Sequence, residues 1–305
     1  MQLDPSFYQE EVRSGFLVSA KMKRIWAVEL AILEKFDQVC RKYNLTYFVF
    51  YGTLLGAVRH HGFIPWDNDV DVMMFRDDYE KFQTIAPQEL SEPYFHQTSY
   101  SDNEIRIHSK IRDSRTTAVE SLDVDLNQGI YIDIFPFDDV PDGENPALNH
   151  ICNIQTTLWY TIVAPQMVAE YLQQGKTLAL SREVLTDLLN MDIRQRFKQM
   201  ELFNLSHFGQ SKAVNFLFSA LSSSDPLLYK YKREWFREVE YLPFESLTVP
   251  VPAAYDEILT YMYGDYHQFV RGGSAHENVI QDPDISYKEF MQKTDPEQLR
   301  IMLKL

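Results

Sequence analysis

Three aspartates, Asp67, Asp69 and Asp71, alternate with Asn68, Val70 and Val72 inside the stretch Tyr47–Met74, YFVFYGTLLGAVRHHGFIPWDNDVDVMM. On a strand, side chains two apart share a face, so the three carboxylates would project together, roughly 6–7 Å between neighbours. Val70 and Val72 would then face a core. Three anions on one face repel each other unless a cation sits among them. Magnesium or manganese suits an all-oxygen set and keeps waters that phosphate oxygens can replace. The chemistry expected of such a group is metal-assisted work on phosphate, with Asp67, Asp69 and Asp71 as the candidate ligands or partners of ligands. An acidic turn leading into an edge strand has the same pattern, so the surrounding residues must decide.

Gly52 and Thr53 follow the aromatic run Thr46–Tyr51, expected as a strand, and open a short helix through about His60. Gly52 permits a ligand to approach the backbone, and Thr53 is expected to cap the helix, whose N-terminus offers N–H groups to a phosphate. An ordinary strand-to-helix turn would look alike. In IHSKIRDSRTT (107–117), His108, Lys110 and Arg112 share a face if the segment Ile105–Arg112 is a strand. They form either a phosphate clamp or a solvated basic edge. Asp133 lies among Ile130, Tyr131, Ile132, Ile134 and Phe135, where a charge is costly unless paired or bound to a metal. It is the candidate third carboxylate. Trp66 stands beside the acids and either packs beneath their loop or offers its face to a cationic ligand.

The elements that must position these residues follow from periodicity. Lys21 to Tyr43 places Met22, Ile25, Trp26, Leu33, Phe36 and Cys40 near one face of a helix. Val70–Phe75 reads as a second strand, followed by a helix from Asp77 to about Ala86. Gly129–Phe135 is a further strand, closed by Pro136 and the turn-rich DDVPDGENP. Ala147 to about Leu221 reads as mostly helical. Phe236–Leu242 and Ser246–Val251 form a hairpin, and Ala253–Tyr263 a helix. The expected class is α/β, or α+β by stricter counting: a small mixed sheet flanked by helices over residues 1–145, and a mostly helical second half over 146–305, packed as one unit with the core.

The net charge of −15 over 305 residues argues against non-specific nucleic-acid binding. Cys40 and Cys152 are the two cysteines, far too few for a disulfide framework or a zinc ribbon, and a cytoplasmic chain is expected. The runs Leu45–Val58 and Leu158–Leu172 are interrupted and shorter than the roughly 20 apolar residues of a membrane-spanning helix. The second is expected either as a buried helix or as a surface in peripheral contact with lipid at the inner membrane face. His60, His61, His267 and His276 lack zinc-ligand spacing, and nucleophile-elbow, Walker A and dinucleotide glycine patterns are absent.

The blocks YGTLLGAVRHHGFIPWDNDVDV, HSKIRDSRTT, GIYIDIFPFDDVP and YLPFESLTVPVPAAYDEILTYMYGDY closely resemble the LicD family, in the family's order from about residue 25 to 267. LicD proteins are similar to fukutin and fukutin-related protein. The resemblance implies a nucleotidyltransferase-like fold and transfer of a phospho-alcohol from a CDP-activated donor to a glycan, with phosphocholine, placed on lipopolysaccharide or teichoic-acid sugars, the usual cargo. Under it Asp69 and Asp71 match the metal-binding pair, Asp133 the third acid, and Gly52-Thr53 the glycine turn. Arg59, inside the first block, joins Gly52, Thr53, Trp66, Lys110 and Arg112 as a substrate-binding candidate. The implied partners are CDP-choline ahead of other CDP-alcohols, and a glycan or lipid-linked glycan acceptor. The chain departs from the family after Tyr266, where HQFVRGGSAHENV replaces an expected proline-containing loop. Three other classes are compatible with the residues: a nucleotidyltransferase using a nucleoside triphosphate, a metal-dependent phosphoesterase, and a non-catalytic glycan-binding module.

Overall fold

The computed structural model describes residues 3–142, 145–176, 178–216, 230–270 and 279–304. His276, most of the divergent loop after Tyr266 and residues 217–221 of the expected helical stretch lie outside the described residues. In chain order the elements are β1 (Glu11–Arg13), β2 (Phe16–Val18), α1 (Ala20–Lys42), β3 (Phe48–Val49), α2 (Tyr51–His60), β4 (Asp71–Phe75), α3 (Arg76–Glu89), β5 (Tyr94–Gln97), β6 (Ser109–Asp113), β7 (Thr117–Val119) and β8 (Ile130–Val140). Helices α4 (Pro146–Val163), α5 (Pro165–Gln173), α6 (Arg182–Asn190) and α7 (Ile193–His207) follow. The rest comprises β9 (Ala213–Phe216), β10 (Tyr231–Lys232), β11 (Val239–Phe244), β12 (Leu247–Pro252), α8 (Tyr255–Tyr263), β13 (Ile280–Asp282), α9 (Tyr287–Lys293) and α10 (Pro296–Met302). The class is mixed α/β.

Two compact units divide the chain. One comprises Met1–Met74, Lys81–Phe135 and Glu238–Leu305; the other comprises Phe75–Glu80 and Pro136–Arg237. In the first, strands run in the order β5–β6–β8–β4–β3, with β6 antiparallel to β5 and β8 and with Lys110 opposite Asp133. Helix α1 starts where Ser19 accepts from the Met22 amide, and its stripe of Ile25, Trp26, Leu33 and Phe36 is buried. Trp26 stacks on Phe63 with centroids 4.6 Å apart, and Phe36 meets Tyr47 and Phe82 edge-on. Gly129 is forced by space, because a Cβ there would stand 2.1 Å from the Asp113 carbonyl oxygen.

In the second unit, α4 to α7 bury Leu158, Ile162, Val168, Leu172 and Leu185. The apolar run Leu158–Leu172 is thus two helices broken at Pro165, with half of its large apolar side chains in a core. Among the described residues no helix is long and apolar enough to cross a membrane. Arg76 and Asp138, both buried, form a bidentate pair at 2.7 Å on each arm.

Three local expectations change. The strand before Gly52 contracts to Phe48–Val49, since Tyr51 already turns into α2 at φ +48. Asp67 and Asp69 precede β4 rather than lying in it, so only Asp71 is a strand residue. Pro136 does not end β8. It falls between Ile134, the last residue paired with β6, and Phe137, the first paired with β9, so neither of these two ladders needs its N–H.

Candidate active site

Asp71 is clamped through its backbone. Its amide donates to Thr53 Oγ1 at 2.8 Å, and its carbonyl accepts from the Phe50 amide at 2.9 Å. Thr53 therefore does not cap α2; it is buried and fixes the strand bearing the acid. The helix opens at Phe50 without any side-chain cap, and Tyr51 holds a left-handed conformation that a bulky residue rarely adopts. Strain at this corner aims the first turn of α2 at the acidic loop.

Asp67 is held by Trp26 Nε1, which donates to its carbonyl oxygen at 2.9 Å, and by its own amide, which donates to Ile64. Asn68 next to it donates from Nδ2 to Gln281 Oε1 at 2.6 Å, so β13 fastens the same loop. Gly52 faces Asp67: a Cβ at 52 would lie 2.6 Å from Asp67 Oδ2. The glycine thus makes room for a carboxylate, which contacts the turn directly. Gly52→Ala should push Asp67 away and lower turnover at least tenfold, while the unfolding midpoint in urea moves little. Wild-type turnover in the alanine variant would show that Asp67 has no fixed place in the site.

Asp133 comes to the same place from β8. Its amide donates to the Val70 carbonyl at 2.9 Å, which sets the third acid beside the loop that carries Asp69 and Asp71. Its Oδ1 lies 2.8 Å from His108 Nε2 and 3.4 Å from Lys110 Nζ. Burial, and then the charges of Asp69, Asp133 and Asp67, push the Asp71 carboxyl well above its ordinary range, with Lys110 opposing. The acids named from the sequence are brought together electrostatically, although among the described residues no three His, Cys, Asp or Glu side chains form a ready-made ligand shell. The donor set is all oxygen, the chemistry that fits a hard divalent cation.

Lys110 and Arg112 point inward. Lys110 Nζ donates to Glu120 Oε1 at 3.0 Å and lies 3.4 Å from the Tyr131 ring centroid. Arg112, fully buried, donates to Gln97 Oε1 at 2.6 Å, to the Gly129 carbonyl at 2.9 Å and to Glu120 Oε2. Their charges meet Glu120 and Asp133 instead of open solvent. Glu120 escaped the sequence reading, although two cations sharing a buried face require an acid partner. Although burial opposes it, Lys110, Arg112 and Arg106 hold the Glu120 carboxyl at about 2.

Arg59 and Trp66 line a separate cleft of 390 Å³ that begins at Gly52 and Asp67 and runs to Tyr263 and Tyr266. Arg59 donates to the carbonyls of Tyr266 and Gln268 and stacks on Phe269, with no carboxylate partner among the described residues. His60 is pushed down to about 4 by burial and by Arg59, so it is neutral at pH 7 and accepts from Arg59 Nε at 3.0 Å. Trp66 meets Phe16 and His60 edge-on, leaving it half-buried at the cleft wall. A half-buried cation, aromatic faces and an acid group thus share one opening.

Residues 44–156 match the family described as LicD/FKTN/FKRP, nucleotidyltransferase domain, a span that contains Gly52, Thr53, Asp67, Asp69, Asp71, Lys110, Arg112 and Asp133. The chain is also 29% identical over 247 residues to the lipopolysaccharide cholinephosphotransferase LicD of Haemophilus influenzae, across 78% of this chain and 88% of that protein. Residues 44–156 thus carry a domain that matches the LicD family. Shorter similarities tie it to two uncharacterized proteins. One, from Rickettsia typhi, is 38% identical over 86 residues, 26% of this chain and 28% of that one. The other, from Rickettsia prowazekii, is 40% identical over 57 residues, 19% and 21% respectively. The family-domain match, residues 44–156, covers the acid-bearing strands and stops short of α1, whose Trp26 bonds to the acidic loop.

Proposed function

We propose that this chain is a transferase that moves a phospho-alcohol, phosphocholine ahead of others, from a CDP-activated donor to a sugar hydroxyl of a cell-surface glycan. The observation that carries the reading is the convergence of Asp69, Asp71 and Asp133 beside the uncapped start of α2, in a chain similar to a lipopolysaccharide cholinephosphotransferase. The acceptor oxygen forms a bond to the cargo-side phosphorus, the bond from that phosphorus to the bridging oxygen breaks, and CMP leaves. Magnesium or manganese, held by Asp69 and Asp71 with Asp67 alongside, would supply charge neutralisation at the pyrophosphate. Asp133, hydrogen-bonded to His108, receives the hydroxyl proton or completes the oxygen shell. Lys110 and Arg112 hold Glu120 and Asp133 in place, and Arg59, with no acid partner among the described residues, faces donor phosphate in the cleft. Trp66 gives the same cleft an aromatic wall for a quaternary ammonium, an attraction of roughly 0.5–2 kcal/mol. Lipid-linked acceptors would bring the chain to the inner membrane face without insertion.

The test offers CDP-choline, CDP-glycerol and CDP-ribitol with lipopolysaccharide or teichoic-acid acceptors and follows CMP and labelled glycan. CMP should appear with CDP-choline and an acceptor, stop with EDTA, and return with magnesium or manganese and not with zinc. Release of pyrophosphate from a nucleoside triphosphate, or full activity in chelator, refutes the reading.

A further inference from the structure

Glu29 stands on α1, outside the residues matched by the family domain. It falls on the buried stripe of that helix, one turn after Trp26, and is 1% exposed. Its Oε2 is buried and, among the described residues, has no hydrogen-bond partner. Trp26 donates to the Asp67 carbonyl, so this face of α1 is fastened to the loop that carries Asp67 and Asp69. Burial pushes the Glu29 carboxyl well up, and the charges of Asp69, Asp67 and Asp133 add to the effect, so the groups that act on it are those of the acid cluster. An unsatisfied buried carboxyl oxygen is destabilising. An apolar residue of similar size would fill the same stripe without that cost, so packing alone does not account for an acid here.

We propose that Glu29 is a fourth acid of the site, whose unpartnered oxygen meets the hydrated divalent cation held by Asp69 and Asp71 and fixes it from the α1 side. The inference rests on the cation-dependent reading above. Glu29 acts as a positioning residue for the cation and does not touch the donor.

Thermal unfolding and isothermal titration with Mg²⁺ or Mn²⁺ alone, without donor, test the proposal on the full chain. Glu29→Gln should unfold at or above the wild-type temperature in the absence of cation, lose most of the cation-induced rise in Tm, and bind Mn²⁺ at least tenfold more weakly. Glu29→Leu should do the same and keeps the test open if the glutamine variant folds poorly. Wild-type affinity and a wild-type rise in Tm in either folded variant overturn the role of Glu29 and leave the Asp69–Asp71 reading in place. No cation binding by any of the proteins, wild type included, overturns both.

Discussion

Asp71→Asn is expected to lower transfer at least a thousandfold, about 4 kcal/mol of transition-state stabilisation, while leaving the folded protein as stable as before or more so. The two effects have one origin. The Asp71 carboxyl is crowded by burial and by Asp69, Asp133 and Asp67, so its charge is unfavourable in the cation-free protein. Asparagine keeps the shape, keeps the backbone bonds to Thr53 and Phe50, and removes one of the repelling charges. It also removes a ligand to the proposed cation. Steady-state transfer at saturating magnesium, together with urea unfolding in EDTA, measures both sides. Near-normal turnover would remove Asp71 from the chemistry, and a clear loss of stability would mean that its charge is compensated in the native state.

Glu120→Gln should produce the largest change in stability. The substitution removes the carboxylate that pairs with both buried Lys110 and buried Arg112, and breaking a buried pair in this way costs about 3–5 kcal/mol. The sign of the pH dependence follows from the carboxyl's position at about 2, below its ordinary value of 4.5. A depressed carboxyl stabilises the fold fully above its unfolded pKa, and that contribution is lost as pH falls from about 4.5 toward 2. The wild-type curve of unfolding free energy against pH should therefore drop steeply in that window, and the glutamine curve should be flatter. Adding Lys110→Met to Glu120→Gln should recover part of the loss, because one uncompensated cation is then gone. A change below about 1 kcal/mol in the single variant would mean that Asp133 alone satisfies both cations.

The acids of the candidate site could be singled out from sequence because Asp in an apolar or strand-like context is costly without a purpose, and that argument needs no tertiary structure. Long periodic segments were legible too: α1 runs Ala20–Lys42 against an expected Lys21–Tyr43. What failed was local geometry set by tertiary contact. Thr53 reads as a helix cap from its position, yet its hydroxyl is claimed by Asp71, 18 residues away. Asp67 and Asp69 read as strand residues because alternation continues through them, but Trp26 and Gln281 hold that segment as an extended loop. Lys110 and Arg112 share a face as expected, and only the fold shows that the face is inward, toward Glu120. Glu29 was detectable in principle, since it sits at helical spacing among Ile25, Trp26, Leu33 and Phe36. A charge on an otherwise apolar stripe is the signal. Strand β9 lay hidden in a stretch whose helical period dominated its neighbours.

The bond between Asn68 and Gln281 joins residues 213 apart in sequence, on the loop that carries the acids. On a ribosome adding roughly 5–20 residues per second, that partner emerges about ten to forty seconds after the loop itself. For that interval the nascent chain carries its acidic residues without the strand that steadies them. A product that terminates early, before β13, lacks this fastening however well its first half folds. Synthesis of the later segment therefore acts as a timer: the acidic loop is made first, and its final posture is delivered only once Gln281 has been added.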